Sequence, residues 1–163
     1  MDIMVDVDVS ILERIVQVMK DRGIDRVDVK QESGPPTISL DGHAGLVEYK
    51  SLQWRYNVNP SIWKVSALRT ILQRFDKCYR TIEDDETQSF SSQFSFYRIT
   101  HPNVVQSAYF QLSPWVVYIH ITSRGKLIPI EANGMCDELK KIYKDILQSF
   151  PPGRPMKQHL YEL

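Results

Sequence analysis

The sequence predicts an α+β fold: amphipathic helices covering antiparallel sheet, in the order helix, strands, helix, strands, helix. Three observations predict it. Apolar spacing switches repeatedly between a helical period and a period of two. The strand-like segments of the second half are joined by short turn sequences, which favour antiparallel neighbours. Hydrophobic residues make up 42% and charged residues 25% of 163, enough to bury a continuous core without metal or disulfide staples.

The first helix is expected over Val9 to Arg22, because Ile11, Leu12, Ile15, Val16 and Met19 recur at helical spacing. Ser10 is the candidate cap at its start, and Gly23 stands where a left-handed cap ends a helix. "IDRVDVK" reads as a strand, "SGPP" breaks it, "TISL" follows, and Asp41-Gly42 marks a turn. "SLQWRYNV" alternates most cleanly, with Leu52, Trp54, Tyr56 and Val58 on one face. "NPS" then reads as the cap and first turn of a long helix over 61–82.

Beyond the acidic "EDDE", strands are expected in "SFSSQFSFYRIT", "VVQSAYFQL", "WVVYIHIT" and "LIPIE". A last helix spans about Cys136 to Phe150, with acids in its first turn and lysines later, as the helix dipole favours. The organisation expected is one domain over 1–153 and an exposed tail over 154–163.

The acidic N-terminus lacks the basic flank and apolar run of a secretory signal, and no run approaches the roughly 18 apolar residues of a membrane helix. Two widely spaced cysteines, Cys78 and Cys136, fit reduced thiols better than a disulfide frame. The expectation is therefore a soluble intracellular protein, cytoplasmic or nuclear, without a membrane partner.

Common signatures of phosphate loops, nucleophile elbows, paired redox cysteines and helical zinc sites are missing, so neither catalytic residues, a metal nor a cofactor is predicted. The triplet His101-Pro102-Asn103 resembles the "HPN" of ubiquitin-conjugating enzymes, which also begin with a helix and an antiparallel meander. That family places a cysteine shortly afterwards, whereas "VVQSAYFQLSP" has none, and the chain is not assigned to it.

What remains is one charged helix. Within 61–82, Lys64, Arg69, Arg74, Lys77 and Arg80 stand against the single acid Asp76, and Glu83 to Glu86 follow at once. The net charge of zero thus conceals a local dipole. Val65, Leu68, Leu72, Phe75, Tyr79 and Ile82 are expected to face the core, while Arg69, Arg74, Lys77 and Arg80 face outward. Those four are the candidate partner-binding residues. The acidic loop 83–86 either neutralises them or leaves them for an acidic segment of a protein partner.

The function expected is a non-enzymatic interaction or regulatory subunit. In the tail, Pro152, Pro155, Lys157, Leu160 and Tyr161 form a second candidate contact, through a Pro-x-x-Pro-x-basic pattern and a hydrophobic end. One alternative is a nucleic-acid-binding module using the basic face with strand aromatics; Phe94, Phe96 and Arg98 share a face there. The other is a divergent enzyme or small-ligand binder with a pocket between sheet and helices.

Overall fold

A computed structural model of the protein describes residues 2–5, 7–32, 34–42, 44–50, 59–74, 85–106, 110–112, 115, 117–120, 122–123, 126–127 and 137–148. The α+β class is observed, and the chain divides into two compact units. One comprises Asp8–Val104; the other combines Met1–Val7 with Val105–Leu163.

The unit that draws on both ends of the chain carries β1 (Asp2–Val5), β7 (Val105–Gln106), β8 (Phe110–Leu112) and β9 (Val117–His120) in one antiparallel sheet, ordered β1-β9-β8-β7. A small ladder, β10 (Thr122–Ser123) with β11 (Lys126–Leu127), and helix α4 (Asp137–Gln148) complete its described elements. Of the expected second-half meander, β7, β8 and β9 pair in turn, whereas "SFSSQFSFYRIT" does not join them and contributes Phe96–Thr100 to the sheet of the other unit. The pairing of β1 with β9 was not legible in the sequence: "DIMV" is too short for its alternation to register.

The Asp8–Val104 unit begins with α1 (Val9–Arg22). Asp8, not Ser10, caps it: the Asp8 carboxylate accepts from the main-chain N–H groups of Ser10 at 2.9 Å and Ile11 at 3.3 Å, and from the Ser10 hydroxyl at 2.7 Å. Gly23 ends it at φ 66°, the left-handed geometry expected of that position.

A five-stranded sheet follows: β2 (Arg26–Glu32), β3 (Ile38–Asp41), β4 (Ala44–Glu48), β5 (Ser61–Trp63) and β6 (Phe96–Thr100), ordered β3-β4-β6-β2-β5. Its central pair, β2 with β6, is parallel, a departure from the antiparallel expectation. A parallel pair needs a long crossover, and the chain between them supplies one containing β3, β4, β5, α2 (Val65–Arg74) and α3 (Asp85–Ser91).

Two further expectations are corrected. Ser61, Ile62 and Trp63 form β5, and the helix begins only at Val65. The N–H of Lys64 donates to the Asp25 carbonyl at 2.9 Å, so the segment is held to β2 as strand before it can turn into helix. Asp85 and Glu86, expected in a loop, open α3, and the strand expected from Ser89 starts at Phe96. The strand expected in 51–58, helix residues 75–82 and the tail lie outside the described residues.

Strand alternation separates the two sheet faces. Val27, Leu46, Ile62 and Ile99 share the face beneath α1, whose Ile11, Ile15 and Met19 are buried. The Arg14 guanidinium also donates to the Leu40 carbonyl, tying α1 to β3. Arg26, Asp28, Ser61, Trp63, Phe96 and Arg98 occupy the other face. There Phe96 packs with Ile71 of α2, bordered by Tyr49, Trp63, Phe90 and Phe94.

Candidate functional site

Helix α2 is positioned by what lies under it. Ala67 and Ile71 are the residues it buries; full burial of an isoleucine side chain contributes about 1.5–3 kcal/mol. Ile71 packs on Phe96, which meets Trp63 edge-on at 5.4 Å and stacks with Phe94 at 6.1 Å. At the helix start, Lys64 Nζ lies 3.4 Å from the Asp25 carboxylate, and the Lys64 carbonyl accepts from the N–H groups of Ala67 and Leu68.

Below the aromatic layer lies a buried polar cluster. Arg26, 2% exposed, donates to the Ser61 hydroxyl at 3.1 and 2.7 Å and approaches the Asp28 carboxylate at 3.4 Å. Its guanidinium also sits 5.0 Å from the Trp63 ring centre and 5.5 Å from that of Phe96. Arg98 is the ladder partner of Asp28 and stacks 3.8 Å over the Tyr49 ring. Burial pushes the Arg98 guanidinium down to about 10, Asp28 opposing that shift and Arg26 reinforcing it. It therefore remains a cation at neutral pH.

In sequence, Arg26 and Asp28 alternate with Val27 and Val29 and so share one strand face. Both are buried, and their charges answer one another.

The exposed side of α2 differs from expectation in one respect. Val65 is 69% exposed and Leu72 49% exposed, although both were expected in the core. The helix is rotated so that Ala67 and Ile71, not Val65 and Leu72, form its buried side. The expected stripe included neither Ala67 nor Ile71, and Ile71 is the one that packs on Phe96.

Val65, Arg69 and Leu72 thus lie at i, i+4 and i+7 along one exposed strip. Arg69 and Arg74 are both exposed, and neither forms an ion pair among the described residues. Lys77 and Arg80 lie outside the described residues, as do the tail candidates Pro152, Pro155, Lys157, Leu160 and Tyr161. So do Glu83, Asp84 and Cys78.

Phe96, considered above for stacking a base, is 1% exposed and used in packing. His101-Pro102-Asn103 forms a tight turn in which buried His101 accepts the Asn103 N–H at Nδ1 at 3.0 Å, while its carbonyl accepts from Val104. Burial lowers the His101 pKa, with Asp41 acting against the shift.

Among the described residues no helix is long and apolar enough to cross a membrane, and no group of His, Cys, Asp and Glu is arranged to hold a metal ion. Comparison with protein-family models, curated proteins and solved structures returns no match.

Proposed function

We propose that this chain is a non-enzymatic protein-interaction or regulatory subunit that presents the outer face of α2 to an acidic segment of a partner protein inside the cell. The observation carrying this reading is the exposed strip Val65, Arg69 and Leu72. Two large apolar side chains flanking an arginine suit a helix seated in a partner's groove, where apolar anchors contribute affinity and the cation selects an acidic counterpart. A merely solvated helix face would not need the apolar pair.

Arg74 extends the strip toward the helix end, and Lys77 and Arg80 continue the basic series in the sequence. The tail 154–163 is the second contact in this proposal. The experiment is recovery of copurifying proteins with native chain and with Arg69, Arg74, Lys77 and Arg80 all changed to Glu. The reading predicts an unchanged fold by circular dichroism and loss of a partner; undiminished recovery would leave the helix as plain surface. Recovery of nucleic acid instead, falling steeply with salt, would move the assignment to the nucleic-acid class.

A further inference from the structure

On the sheet face opposite α2, the end of α1 and β5 border a cavity of about 290 Å³. Buried Met19 and Ile24 form its floor, and Val16 and Ile62 continue the apolar lining outward. Two of the lining residues are charged, and both are lysines, Lys20 and Lys64. Gly23 keeps the mouth clear, since a Cβ at that position would meet nothing within 4 Å.

The polarity of the cavity is graded from inside to outside. The apolar floor is shielded from water, whereas Lys20 is exposed and the Lys64 side chain is 55% exposed. Lys64 lies 3.4 Å from the Asp25 carboxylate, a solvated pair that is exchanged for another partner at little cost. Lys20 forms no ion pair among the described residues. The negative end of α1 is muted beside it, because the Met19 carbonyl already accepts from the N–H groups of Gly23 and Ile24. The rim therefore holds one cation more than Asp25 neutralises.

We propose that this cavity binds a small amphiphilic carboxylate, with its apolar body against Met19, Ile24 and Ile62 and its carboxylate at Lys20 and Lys64. At about 30 Å³ for each water-sized group, the volume suits about ten non-hydrogen atoms, the low end of small-molecule sites. The lysines fix the sign of the head group, and the absence of any other charge from the lining fixes the apolar character of the body. A second hollow of about 420 Å³ shares Val16, Lys20 and Ile62 and adds Val9, Leu12 and Glu13. Glu13 repels a carboxylate there, so the head group stays at the lysine end. This site is distinct from the α2 strip, and the inference does not depend on it.

The test is titration of the full chain with octanoate, followed by calorimetry and by amide chemical shifts. Octanoate should bind saturably at about 1 mM or tighter, as about ten atoms of ordinary ligand efficiency allow, with shifts centred on Met19, Gly23, Ile24 and Ile62. Butyrate leaves the floor unfilled and should bind more than about tenfold more weakly. Octanol and octylammonium, which lack the negative head, should also bind more weakly than octanoate. Lys20→Gln should weaken octanoate about tenfold or more and leave octanol unchanged, because a charge-assisted bond is lost. Val16→Trp should fill the cavity and abolish binding; both residues are exposed, so the fold holds, as circular dichroism would verify. Arg69→Glu with Leu72→Asp should bind octanoate as the native chain does. Absence of saturable binding would overturn the proposal, and so would shifts centred elsewhere, octanol or octylammonium binding as tightly as octanoate, or an affinity indifferent to Lys20→Gln.

Discussion

Asp28→Ala is the substitution whose cost the structure defines most closely. The Asp28 side chain is 7% exposed and that of Arg26 2%, with 3.4 Å between carboxylate and guanidinium. Arg98 stands beside Asp28 on β6. Removing the carboxylate leaves two buried or half-buried cations facing each other without their acid. Breaking a buried pair in this way costs about 3–5 kcal/mol, against a total stability of about 5–15 kcal/mol for an ordinary domain.

At this chain length each kcal/mol corresponds to roughly 2–4 °C, so the melting temperature should fall by roughly 6–20 °C. Lys64→Ala is the control. Lys64 is 55% exposed at its side chain, and loss of its pair with Asp25 should cost no more than about 1 kcal/mol. Replacing the whole cluster, Arg26→Met with Asp28→Leu and Arg98→Met, should cost less than Asp28→Ala alone, because no charge is then stranded. Urea unfolding followed by circular dichroism measures all three. An Asp28→Ala protein within about 1 kcal/mol of native would refute the view that this carboxylate holds the cluster together.

Three other outcomes follow from single sites. Gly45→Ala should destabilise by more than about 1 kcal/mol in the same assay, because a Cβ there would meet the Ile38 carbonyl oxygen and lie 2.9 Å from Pro36 Cβ. His101 has a lowered folded pKa, so its contribution is complete above the unfolded value near 6.5 and is lost as pH falls below it; His101→Gln should flatten that part of a stability profile measured from pH 7.5 to 5. Asp8 is also lowered, first by the Ser10 hydroxyl bond, so its cap stabilises above the ordinary carboxylate range and fades as pH falls through it. Asp8→Asn should remove that acid dependence while retaining the cap, as amide exchange at Ser10 and Ile11 would report.

The parts of the fold that sequence made legible are those governed by local chemistry. Periodicity placed α1, Gly23 announced its end, and Asp41-Gly42 marked the turn between β3 and β4. What it hid depends on distant partners. Ser61 to Trp63 resemble a helix start beside Pro60, but bonding to β2 makes them a strand, and the β2–β6 parallel pair joins residues about seventy positions apart. At the candidate site, the exposed arginines were legible from composition and spacing. The exposure of Val65 and Leu72 was not, because it depends on Ile71 packing on Phe96, a residue distant in sequence, and Arg26, Asp28 and Arg98 come together only through the pairing of β2 with β6.

The claim that the α2 strip is a docking surface is tested most directly by site-specific photocrosslinking in cells. A photoreactive amino acid at position 72 should capture a protein partner, and a chain with Arg69→Glu added should lose that adduct while keeping its fold. The same group at Glu48, exposed at the end of β4, should capture nothing comparable. Equal capture at both positions, or an adduct at 72 that survives Arg69→Glu, would contradict the account.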